Sequence, residues 1–162
     1  MTKISKRPSI LIFGFGNPGR QDDGLGIALV DRLEPLDLPS CAFEQNYQLN
    51  AEDALLIADY DTVIFADASV AVASVALTEI EPSHEIGFTT HAMHPSSVVG
   101  LCNELYSKFP KCYLLEMRGF LWEMKEGLSP EAEDILKKAI DLLVPQLKSG
   151  TVSPVANSNQ NA

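Results

Sequence analysis

Asp22 and Asp23 are adjacent carboxylates placed after a glycine-rich turn and before a helix-forming run, in Ile10–Gly26, ILIFGFGNPGRQDDGLG. Gly14, Gly16 and Gly19 satisfy G-x-G-x-x-G, the spacing that brings backbone N–H groups and a helix N-terminus against a pyrophosphate. Carboxylates at that positive end repel a dianion and attract a cation, so the turn reads as a cation-facing loop. Further along, Asp67 follows the apolar run Thr62–Ala66, and His91 stands in TTHAMHPSS. Two carboxylates and an imidazole suit a borderline divalent cation such as nickel or zinc better than calcium or magnesium, which prefer oxygen donors throughout. Three protein ligands leave positions open for water or a substrate.

Each of these residues also has a plainer reading. Asp22 or Asp23 could cap the following helix. Asp67 could be a strand-end turn residue bonded to its own backbone. His91 and His94, three apart, could be surface or internally satisfied histidines, and Asn17 could be a turn residue tolerating positive φ. No Ser-His-Asp or Cys-His arrangement stands out, and G-x-S-x-G is absent.

What could bring Asp23, Asp67 and His91 together is the order of elements. Ser9–Phe15 is a continuous apolar run, the pattern of a strand buried on both faces. Leu25–Leu33 has helical apolar spacing and is stopped by Pro35. Cys41–Tyr47, Thr62–Ala66, Ser74–Glu81 and Cys112–Met117 read as four further strands, with helices over Glu52–Asp59 and Pro95–Phe109. Ser129-Pro opens a last helix running to about Leu147, with Ser as N-cap and Pro at the first helical position. Alternating strands and helices predict an α/β three-layer sandwich: a mostly parallel five-stranded sheet of order 2-1-3-4-5 with helices on both faces. Ligands then bind at the carboxyl ends of the strands, at the switch point between the first and third, which Asp23 and Asp67 flank. His91, after the fourth strand, is expected at the same end.

A chain of 162 residues is expected to form one domain over 1–149, burying roughly 68–70% of its unfolded surface. The polar stretch 150–162 lacks periodicity and is expected to be disordered. The net charge of −10 argues against sequence-independent binding to nucleic acid or an anionic membrane. Cys41, Cys102 and Cys112 are odd in number and widely spaced, which fits reduced, buried thiols. The run Ile10–Phe15 is too short for a signal-peptide core, and nothing approaches transmembrane length, so a cytoplasmic protein is expected.

The run Gly14-Phe-Gly-Asn17-(four residues)-Asp22-Asp23-Gly24-Leu-Gly26, the strand end Phe65-Ala-Asp67-Ala68, and Thr89-Thr-His91-Ala-Met together resemble the hydrogenase maturation proteases. Gly127-Leu-Ser129-Pro before a final amphipathic helix is similar to that family as well. The resemblance implies a cytoplasmic endopeptidase that removes a C-terminal extension from the precursor of the [NiFe]-hydrogenase large subunit after nickel insertion. It implies Asp23, Asp67 and His91 as both catalytic and nickel-recognising residues, with Asn17 and Asp22 shaping the loop. Nickel would arrive with the precursor, no permanently bound metal is expected, and the protein would act as a monomer. One departure is Asn46-Tyr-Gln-Leu-Asn50, where many members have an Asp-Gly-Gly-Thr-type stretch, so the hydrogenase subtype is left open.

Three other readings compete. GFGNPG also resembles the opening of peptidyl-tRNA hydrolase, but that family continues with Arg-His-Asn and has a basic surface, against Arg20-Gln-Asp-Asp and a charge of −10 here. A dinucleotide-binding module wants an acidic residue about 20 positions after the turn, where Glu44 is late. A nickel-sensing hydrogenase chaperone that docks without cutting has the same sequence requirements as the protease.

Overall fold

The computed structural model describes residues 8–84 and 93–156. Five strands form one sheet: β1 (Ile10–Phe15), β2 (Cys41–Asn46), β3 (Thr62–Ser69), β4 (Val75–Glu79) and β5 (Lys111–Arg118). Helices α1 (Leu25–Leu33), α2 (Asp53–Ile57), α3 (Pro95–Tyr106) and α4 (Pro130–Ser149) surround it. In β1, Ile10 and Ile12 join the core beneath α1 and α4, while Leu11 and Phe13 join the core beneath α2 and α3. A strand with alternate side chains buried in two cores needs helices on both faces, so the expected three-layer α/β sandwich is present.

The strand order is 2-1-3-5-4, not 2-1-3-4-5, and β4 is antiparallel to β5, with Val75 opposite Met117 and Glu79 opposite Tyr113. The reason is the short connection from Ser69 to Val75. A parallel crossover needs a dozen or more residues, so β4 must run back. The longer return through α3 then inserts β5 between β3 and β4, in parallel register with β3 from Thr62 opposite Lys111 to Ser69 opposite Arg118.

The stretch after Gly150 also departs from expectation over 151–156. Val155 forms a β-bridge with Leu77, the two exchanging hydrogen bonds of 3.0 and 2.8 Å, and the Tyr113 hydroxyl donates to the Val152 carbonyl at 3.2 Å. The polar composition hid two valines that pack on the core while covering part of the free edge of β4. Residues 157–162 lie outside the described residues.

Candidate functional site

The turn after β1 is built around Gly16, whose φ of 139° is open to glycine, and where a Cβ would run into the Asp23 carbonyl. At Gly26, a Cβ would strike the Ala66 and Phe15 carbonyls, so only glycine lets α1 pack its first turn against the ends of β1 and β3. This close approach sets Asp23 beside Asp67. Asn17 completes the turn: its N–H donates to Asp23 Oδ2 at 2.9 Å, and its side-chain oxygen accepts from Gly19 N–H at 2.8 Å. The Asn17 side-chain oxygen is thus spent on the loop.

Neither aspartate caps α1. Both lie in a single 3-10 turn, Gln21–Gly24, and the residue preceding α1 is Gly24, which contributes no side-chain cap. Asp22 points inward and is fully buried. Its carboxylate accepts hydrogen bonds from Phe120 N–H (2.8 Å), Leu121 N–H (2.9 Å), Ser129 N–H (2.7 Å) and the Ser129 hydroxyl (2.7 Å). Burial pushes its pKa up, but the donated hydrogen bonds together outweigh burial and hold it below the ordinary value. Asp22 is therefore a latch, as the loop-shaping expectation had it.

Asp67 sits at the carboxyl end of β3, half-buried. Burial, followed by the nearby charge of Asp23, pushes its carboxyl up to about 7, against a hydrogen bond from Ala68 N–H; Glu116 adds a further upward push. Glu116 was missed from sequence. It stands opposite Asp67 on β5 and accepts a 2.8 Å hydrogen bond from the Ser69 hydroxyl. Its signal was a lone carboxylate inside an apolar strand, unreadable while the fourth strand was expected to separate that strand from β3.

His91 lies outside the described residues. Because β4 is antiparallel, the loop following it leaves from the amino end of the parallel strands, opposite to the expectation. The chain has returned by Met93, whose N–H donates to the Leu49 carbonyl just beyond the carboxyl end of β2 at 3.3 Å. His94 is exposed at the N-terminus of α3, and its side chain caps nothing. Among the described residues no group of three or more His, Cys, Asp or Glu side chains is arranged to hold a metal ion. The described part of the expected set is the pair Asp23 and Asp67.

No thiol is set up as a nucleophile. Cys102 and Cys112 are buried and Cys41 is half-buried. Burial raises all three pKa values, pushing Cys41 up to about 11 and Cys112 up to about 12, with Cys102 adding to the latter.

The class defined so far is a three-layer α/β protein with paired aspartates at the switch point of its sheet. Solved structures with this fold include the hydrogenase maturating endopeptidase HybD from E. coli, at 22% identity and a TM-score of 0.65, covering 94% of this chain and 100% of that one. The [NiFe] hydrogenase maturation protease HycI from Thermococcus kodakarensis matches at 22% identity and a TM-score of 0.68, over 89% of this chain and 95% of that one. A hydrogenase 2 maturation peptidase from a Thaumarchaeota archaeon matches at 23% identity and a TM-score of 0.64, over 88% and 98% respectively. No family model matches the chain, and no curated protein matches it. The fold is thus the one that solved maturation proteases adopt, as the sequence resemblance implied.

Proposed function

We propose that this protein is an endopeptidase that removes the C-terminal extension of a [NiFe]-hydrogenase large-subunit precursor after nickel has been inserted. The observation that carries the reading is the juxtaposition of Asp23 and Asp67 at the carboxyl edge of a sheet with this fold. Two carboxylates held together, one of them partly desolvated, gain most from a divalent cation. Asp23, Asp67 and His91 would complete the coordination of nickel carried by the substrate, so that nickel insertion licenses cleavage by positioning the scissile bond. The raised pKa values of the cysteines favour attack by water over a thiol nucleophile. Asp67, whose carboxyl is pushed up to about 7 in the absence of a cation, would release that proton on taking up the nickel.

In this reading the protein acts transiently on the precursor, as a monomer, in the cytoplasm. The test is incubation of purified protein with nickel-loaded and with nickel-free precursor, read by mass spectrometry. A single mass loss confined to the nickel-loaded precursor is expected. Intact precursor in both arms would refute the protease reading. Efficient cutting of metal-free precursor by protein preloaded with nickel, with transfer prevented, would make it an ordinary metallopeptidase.

A further inference from the structure

The segment joining β5 to α4 combines a hydrogen-bonded backbone with exposed apolar side chains. Its backbone is tied down: besides the two N–H groups held by Asp22, Glu123 N–H donates to Gln21 Oε1 at 3.0 Å, and Gln21 N–H donates to the Lys125 carbonyl at 2.8 Å. Arg20 Nε donates to the Trp122 carbonyl at 3.0 Å. Gln21, drawn into this network, takes a positive φ of 44°. Yet the side chains on this ordered backbone are apolar and in water: Phe120 is 40% exposed, Leu121 46% and Met124 80%.

The patch extends across the sheet end. Arg118 donates to the Val70 carbonyl at 2.8 Å while its guanidinium lies 5.6 Å from the Phe120 ring centroid, and Val70 is itself 65% exposed. Single exposed apolar residues need no explanation, but these lie at one end of the sheet, with Leu121 held by Asp22 and Val70 three residues beyond Asp67. Small hydrated cations would draw nothing from an apolar rim. A protein bringing both a cation for the carboxylates and an apolar surface for the rim is the complementary partner.

We propose that Phe120, Leu121, Met124 and Val70 form the docking face for the large-subunit precursor, held rigid beforehand by Asp22. This rests on the reading under Proposed function, and it adds which residues select the substrate. The loop's order is already established in the free protein, so little ordering entropy opposes binding.

The experiment measures affinity for nickel-loaded precursor together with cleavage kinetics, for the wild type, for Leu121→Gln/Met124→Gln, and for a control, Leu105→Gln/Phe109→Gln, which removes apolar surface at the opposite end of the sheet. The docking variant is expected to lose about tenfold or more in affinity and to lower kcat/KM through KM, with the control unchanged. Thermal unfolding checks the fold, and Met124→Gln alone, at the most exposed of these positions, serves if the double variant is unstable. Wild-type affinity in the docking variant, or equal weakening in the control, overturns the docking face while leaving the protease reading intact. Binding that depends on the patch without any cleavage supports the docking face and overturns the protease reading. Neither binding nor cleavage by the wild type overturns both.

Discussion

Asp22 and Ser129, 107 residues apart in the chain, share two hydrogen bonds of 2.7 Å, one from the serine N–H and one from its hydroxyl. The same hydroxyl accepts from Ala132 N–H at 3.1 Å and so caps α4. One carboxylate thereby ties the turn after β1 to the loop after β5 and to the start of the last helix. Replacing it by alanine strands three N–H donors and a hydroxyl. Asp22→Ala is expected to cost about 3 kcal/mol or more, measured by denaturant unfolding; a loss under about 1 kcal/mol would contradict the latch.

The latch also has a pH signature. A carboxylate whose folded pKa is depressed contributes stability above its unfolded value of about 3.9, and that contribution is lost as pH falls through the folded pKa. The stability difference between the wild type and Asp22→Asn should therefore hold at neutral pH and shrink in acid below about pH 4. A difference that stays constant through the acid range would show that charge is irrelevant there.

Asp67 has the opposite sign. With a folded pKa of about 7, it keeps a proton that the unfolded chain has released, so its contribution to stability falls as pH rises from about 4 to about 7. Asp67→Asn should stabilise the protein at about pH 8, by roughly 1–3 kcal/mol, and flatten its pH dependence. Processing by the wild type should rise with pH through about 7, as the carboxylate form becomes available to a cation. Glu116→Gln removes one of the charges that raise Asp67 and should move that midpoint downward. An unmoved midpoint would separate Glu116 from the site.

Asp23→Ala, Asp67→Ala and His91→Ala should each abolish processing while circular dichroism stays near that of the wild type, because Asp23 and Asp67 sit in a turn and at a strand end. His94→Ala should have a much smaller effect. Loss of processing with His94→Ala but not with His91→Ala would exchange their roles.

Replacing Cys41, Cys102 and Cys112 together by alanine should cost about 1–3 kcal/mol through packing and leave processing in place. Complete inactivity in a folded triple variant would point to a covalent mechanism. Ending the chain at Ser149 removes the Val155–Leu77 bridge and should lower stability by about 1–2 kcal/mol with activity kept. Wild-type stability in that truncation would mean the bridge contributes nothing.

By itself, the sequence determined what depends on neighbours in the chain. The continuous apolar run at Ile10–Phe15 required a strand buried on both faces; Leu25–Leu33 is a helix with those same bounds, and Ser129-Pro starts α4 with the serine as its cap. The alternation of strands and helices placed Asp23 and Asp67 at the switch point between the first and third strands, and β1 does pair with β3. Tertiary structure decided which strand lies beside which. Hydrogen bonding between strands is indifferent to side-chain type, so nothing in the apolar pattern of Cys112–Met117 said that it would pair with β3 and carry Glu116 to Asp67. Likewise, Asp22 and Asp23 are chemically identical neighbours. The resemblance gave them different expected roles, and the folded loop supplies the physical reason for a difference: it offers four donors to Asp22, which is buried, and leaves Asp23 at the sheet edge close enough for its charge to act on Asp67.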